Sequence, residues 1–325
     1  MLSLLPELNP SSYSPHILHA SERNWPETNC YVDLWIEVMS SLGTEPLAML
    51  GFTLCQDFEG DQFTFFKVPL EDLERLYGIR VTELAIYSDV EQHIATQIER
   101  GRLCLVEVDG FYLPDTSGVG YGHEHGKTTI AINTLSQETR ELGYFHNGGY
   151  FTLSGNDYDG LFQRNVDANA LPFLPYSEFA KFPTTYPSES KLRLAAEELL
   201  KHHYARRPLH NPISAFAEVF ASQAQALTQK PFDAFHKYAF NTLRQFGANF
   251  ELLSSHLTWL SPEGRYGQAA EHAMTIAQTA KSCQFQLARA VSRNKTDGLN
   301  ANLLPAAEAW NSLMQSLNLQ LTQQG

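Results

Sequence analysis

The sequence predicts an α+β domain with a mostly antiparallel sheet over residues 1–185, followed by an all-α helical bundle over 186–325. Runs rich in β-branched and aromatic residues occur only in the first part, where they follow short amphipathic helices. Beyond "PTTYPSESK" no such run appears, and helical periodicities succeed one another to the end. Pro183, Pro187 and their hydroxyl neighbours mark a linker near 183–190.

In chain order, "NCYVDLWIEVMSSLG" sets Val32, Trp35, Ile36, Met39 and Leu42 on one helical stripe, with Thr28 as a candidate cap and Gly43 suited to the C-terminal end. "PLEDLERLYG" and "DVEQHIATQIERG" read as two more helices, each closed by glycine. "RLCLVEVDGFYL", "KTTIAINTL" and "ELGYFHNGGYFTL" read as strands bounded by turn formers. In the second half, Ser188 or Ser190 caps "KLRLAAEELLKHHYARR", and Asn211-Pro212 pairs an N-cap with a first-turn proline. Pro231 opens a helix running to Leu260, and two more helices follow around 265–293 and 304–322.

Charge excludes some functions. Twenty-three basic residues face 36 acidic ones, a formal net charge of -13, so a nucleic-acid partner is not expected. Four scattered cysteines without a CxxC pair give neither a disulfide framework nor a zinc knuckle. The opening "MLSLLPELNPSSYSPH" lacks a basic leader, and no stretch approaches the ~20 apolar residues of a membrane span. The expectation is a cytoplasmic protein without a membrane partner.

"GVGYGHEHGKTTIAIN" (118–133) admits three readings. A phosphate loop needs glycine where Tyr121 stands and a helix where the β-branched run follows, so it fails on both counts. A metal site would draw on His123 and His125 on one strand face, with His146 as third ligand, but no HExxH helix accompanies them, and no metal is expected. The third reading places a histidine at the mouth of a strand as a proton-transfer group. Cysteine hydrolases and acyltransferases need a thiolate, a histidine and a group that orients it. Cys30 at a helix start, His125 before a strand and Asn147 on a later strand supply these in the order Cys, His, Asn. His123 and His146 are alternatives to His125, and Asp109 is a further acidic candidate at a strand end. Asn24, six residues before Cys30, and Gln62 are the candidate second donors of an oxyanion hole. Cys55 and Cys104 in apolar runs, and Cys283 on a helix, read as inert thiols, and Asp57, Glu59 and Asp61 around Gly60 as a solvated turn.

The stretches "RNWPETNCYVDLWIEV", "FTLCQDFEGDQFTFFK", "VEVDGFYLPDT", "HGKTTIAIN" and "LGYFHNGGYFTLSGNDY", with "AFHKYAFNTLRQFGANFELL" and "KSCQFQLARAV", resemble a bacterial domain-of-unknown-function family found near carrier-protein and natural-product genes. More distantly, the first domain is similar to butirosin-type acyltransferases, which have a papain-like fold and move an aminoacyl group from a carrier-protein thioester to an amine. The resemblance implies a papain-like first domain with Cys30, His125 and Asn147 as its triad. It also implies a carrier protein and a small amine as partners, with no cofactor beyond the carrier's phosphopantetheine. Arg206, Arg207, Arg244 and Arg289 in the helical half are the candidate contacts for that acidic partner or its phosphate.

Overall fold

The computed structural model describes residues 2–164 and 174–322. They form two compact units. One comprises 1–17, 29–44 and 70–186, and the other 18–28, 45–69 and 187–325. The division near 186 falls where the sequence placed a linker. The segments 18–28 and 45–69, however, belong with the helical unit rather than the sheet. The reason is legible in "PLAMLGFTLC" (46–55), an apolar 3-10 helix whose Ala48, Met49, Leu50 and Leu54 are buried, packed on helices of the second half.

The sheet unit has seven strands among the described residues: β1 Leu2–Ser3, β2 Arg80–Glu83, β3 Arg102–Asp109, β4 Lys127–Ser136, β5 Glu141–His146, β6 Gly149–Ser154 and β7 Ser177–Lys181. Their order is β2-β7-β3-β4-β5-β6, every pairing is antiparallel, and β1 joins β4 beside a register shift at Ile132/Thr134. Four helices flank it: α1 Cys30–Ser41, α2 Leu70–Tyr77, α3 Val90–Glu99 and α4 Asn156–Leu161. The predicted glycine stops are present, with Gly43, Gly78 and Gly101 at φ +68°, +73° and +70°. The cap of α1 is Asn29 rather than Thr28, its side chain accepting from the Tyr31 and Val32 amides.

Strand alternation assigns the sheet two faces. Cys104, Val106, Val108, Ile130, Ile132 and Tyr144 pack with Ile94, Ala95 and Ile98 of α3 and with Tyr158 and Leu161 of α4. The other face, with Leu105, Ala131, Phe145 and Glu178, carries α1. The Tyr31 hydroxyl donates to Glu178 at 2.8 Å, and Tyr13 packs on Phe145 while donating to the buried Glu37 of α1. The observed class is therefore α+β with an antiparallel sheet and a helical second half.

The helical unit holds α5 Glu189–Ala205, α6 Pro212–Leu227, α7 Asp233–Ala239, α8 Gln245–Leu260, α9 Gly267–Arg293 and α10 Leu304–Thr322. Asn211 caps α6 as predicted, accepting from the Ile213 and Ser214 amides. Ser188 holds the cap position of α5 without a side-chain bond. The helix expected from Pro231 to Leu260 is present from Asp233 to Leu260, with a π-helical turn at Phe240–Arg244 between α7 and α8. α8 is the centre of this unit, buried along nearly its whole length. Among the described residues no helix is long and apolar enough to cross a membrane.

Candidate functional site

The segment read three ways in the sequence is the end of a loop, residues 110–126, that leaves β3 and returns to β4. Its neck is closed twice: the Gly110 amide donates to the Gly126 carbonyl at 2.7 Å, and Asp109 Oδ1 accepts from the Gly126 amide at 3.2 Å. β4 begins only at Lys127, so His123 and His125 lie in the loop and not on a common strand face. His123 is exposed in a turn. Among the described residues no three His, Cys, Asp or Glu side chains gather as a metal cluster.

His125 Nδ1 lies 2.6 Å from Asp109 Oδ2, and its ring stacks on Phe111 at 4.4 Å and 6°. Burial alone would raise the Asp109 carboxyl. Hydrogen bonds from His125 and from the Phe111 and Gly126 amides outweigh it and hold Asp109 below the ordinary carboxylate range. The carboxylate thus fixes the imidazole through Nδ1. The ring is 70 % exposed, so Nε2 is available for proton transfer.

The pair opens on a cavity of about 680 Å³, lined also by Tyr112, Lys127, Asn156 and Asp159. Lys127 is paired with Glu107 at 2.7 Å and Asp159 with Arg140 at 2.6 Å. Gly160 of α4 lies against the Tyr112 ring so closely that a methyl there would overlap it. Gly160→Ala is expected to cost about 1–3 kcal/mol in urea denaturation, as overpacking does, by forcing Tyr112 out of its place in the cavity wall. An unchanged midpoint would contradict this packing.

Cys30 is the first residue of α1, half-buried, and is not among the residues that line this cavity. Its sulfur and the His125 ring are not hydrogen-bonded to each other. Asn147 is elsewhere in the chemistry. It sits at the tip of the β5–β6 hairpin at φ +46°, where the chain between paired His146 and Gly149 needs a left-handed residue. The partner of the His125 ring is therefore Asp109, the residue the sequence offered only in support.

His146 lies on the opposite face from α1. Its Nδ1 is 2.6 Å from Asp115 Oδ2 and its Nε2 is 2.8 Å from the Thr128 hydroxyl, while the Tyr144 hydroxyl donates to Asp115 Oδ1 at 2.5 Å. Burial and the adjacent carboxylate push the Tyr144 hydroxyl far up, so it stays a donor. The chain of contacts resembles a hydroxyl–imidazole–carboxyl relay, but the His146 and Asp115 side chains are 2 and 3 % exposed. A substrate does not reach them; the network clamps the 110–126 loop to the sheet. Neither Asp115 nor Phe111 belongs to a motif that the sequence alone marks as chemical.

The two oxyanion candidates belong to the helical unit. The Asn24 amide donates to Glu251 Oε1 at 3.1 Å and touches Met274 Sδ at 3.7 Å, so its hydrogens are already engaged. Gln62 is exposed, and its carbonyl closes the 59–62 turn. Of the arginines, Arg207 lies 3.8 Å over the Tyr204 ring, Arg244 pairs with Glu27 at 3.3 Å, and Arg206 and Arg289 are exposed.

None of the curated proteins is matched by the sequence. Residues 14–182 match the DUF1839 N-terminal domain, and residues 189–319 match the DUF1839 C-terminal domain. With its two halves matched in order to the two domains of one family, the chain belongs to the DUF1839 family.

Proposed function

We propose that this protein is a thiol-dependent acyltransferase, with Cys30 as nucleophile, His125 as proton carrier and Asp109 as the group that holds the imidazole. The observation that supports it is the Asp109–His125 pair, set at the end of β3 and open to a cavity walled on one side by α4. The acyl donor is a carrier-linked acyl or aminoacyl thioester and the acceptor a small amine. In this reading the papain-like arrangement is kept, with Asp109 in the role the sequence gave to Asn147.

Cys30 Sγ attacks the thioester carbonyl, its proton passes to His125 Nε2, and the pantetheine thiol leaves with that proton. The amine then attacks the acyl-enzyme carbonyl and gives its proton to the same nitrogen, the C–S bond to Cys30 breaks, and the Cys30 sulfur takes that proton from His125 as it leaves. Exchange of one thioester for another is nearly neutral in energy, so the protein supplies chiefly placement and the proton path. Cys30 stands at the start of a helix capped by Asn29, which fixes its backbone. The reading requires Cys30 and His125 to meet once an acyl thioester occupies the cavity; catalytic hydrogen bonds often tighten only with substrate in place.

The test is intact-mass labelling of the full chain with an aminoacyl-pantetheine thioester, followed by peptide mapping. An acyl adduct on Cys30 is expected, lost in Cys30→Ala, retained in Cys55→Ala and slowed by about 10²-fold or more in His125→Ala. An undiminished adduct in Cys30→Ala rejects the nucleophile. Release of the acyl group to water regardless of added amine would assign a hydrolase to the same residues. Full biological function in Cys30→Ser would assign a non-catalytic carrier-binding module.

A further inference from the structure

Cys55, read in the sequence as an inert thiol in an apolar run, has a histidine beside it. It ends the 46–55 helix, half-buried, with its sulfur 3.7 Å from His203 Nδ1 and its thiol directed at the His203 carbonyl at 3.3 Å. Cys104 and Cys283 differ: both are buried, and burial pushes each thiol up to about 12. Cys55 and His203 lie on a small cavity of about 290 Å³ within the helical unit. Phe52, Phe65, Lys67 and Arg206 also line it, and among its described lining residues there are two cations and no carboxylate. In a chain of net charge -13, such a lining selects for negative charge.

We propose that Cys55 and His203 form a thiol–imidazole exchange site that accepts small anionic disulfides. His203 Nδ1 takes the Cys55 proton, and the sulfur attacks one sulfur of the incoming disulfide. The disulfide bond breaks as the Cys55 mixed disulfide forms, and the departing thiolate takes the proton back from His203. Cys55 and one half of the disulfide end as the new bond, and the other half leaves reduced as a free thiol. The apolar rings hold the body of the ligand, while the exposed Arg206 attracts its carboxylates. This site is independent of the Cys30 reading, since it uses neither Cys30 nor the His125 cavity.

The test uses the full chain with oxidised glutathione as the anionic probe and cystamine as a cationic disulfide, read by intact mass and peptide mapping. The mixed disulfide is expected on Cys55 before Cys104 and Cys283, and faster with oxidised glutathione than with cystamine. Arg206→Ala, at an exposed position, should slow the glutathione reaction about three- to fivefold and leave cystamine unslowed. His203→Gln should slow both on the order of tenfold by removing the proton acceptor. If that variant does not fold, the charge preference and the Arg206→Ala result still decide the matter. Labelling of Cys55 no faster than of Cys104 and Cys283, or equally fast with both disulfides, overturns the proposal.

Discussion

Asp115→Ala is expected to destabilise the sheet unit by about 2–5 kcal/mol, because it strands two buried donors at once. The His146 ring N–H and the Tyr144 hydroxyl both donate to Asp115, and the ring and carboxylate are almost wholly shielded from water. Each buried donor without a partner costs about 1–3 kcal/mol. The gap left by the carboxylate does not reduce that cost unless water enters it. Asp115→Asn retains one acceptor oxygen and is expected to lose roughly half as much. The same substitution frees the 110–126 loop from its clamp, so the His125 ring should lose its fixed position even though it touches none of the altered atoms. Urea denaturation of the variants measures the first effect, and amide exchange over 110–126 the second. A loss below about 1 kcal/mol, or unchanged exchange in the loop, would show that the network does not anchor it.

The second large effect is acid destabilisation of the helical unit through His256. This ring on α8 is fully buried, its Nδ1–H directed at the Leu47 carbonyl at 2.7 Å. Burial, with His203 nearby, depresses it to about 4, against a contrary pull from the Leu47 carbonyl. In the unfolded chain the same ring titrates near 6.5. Its contribution to stability is therefore complete above pH 6.5 and declines as pH falls towards 4, where the unfolded state binds a proton the folded state refuses. Over that window the loss is about 3 kcal/mol. His256→Gln keeps an N–H for the Leu47 carbonyl but cannot be protonated, so its stability should fall less steeply between pH 6.5 and 4. Superimposable pH profiles for wild type and variant would exclude His256 as the source.

What was legible in the sequence was local. Helices α1 to α3 followed from amphipathic period and a closing glycine, and α6 from Asn211-Pro212, since each depends on residues within a few positions. β7 was not legible. "SEFAK" carries Glu178 facing inward, which contradicts strand patterning until Tyr31, far away in sequence, is seen to donate to it. At the site, His125 and Asp109 were legible as strand-end residues, but their pairing depends on how the intervening loop closes at its neck. "HNGG" between two strand-like runs is also a hairpin signal, and the left-handed conformation of Asn147 fits that turn.

The alternation of the two units along the chain constrains the order in which the protein can be built during synthesis. Residues 18–28 and 45–69 leave the ribosome early, yet their partners come late. Trp25 donates its indole hydrogen to Ala277, 252 positions on, and the Thr53 carbonyl accepts from Asn249, 196 positions on. Contacts of that span close slowly, because chain entropy is lost before any packing compensates it. A ribosome pausing near residue 186 would hold every described strand of the sheet, and two segments whose partners in the helical unit are still unmade. Release of residues 187–325 as a separate polypeptide should likewise give α8 without the 46–55 helix it packs on.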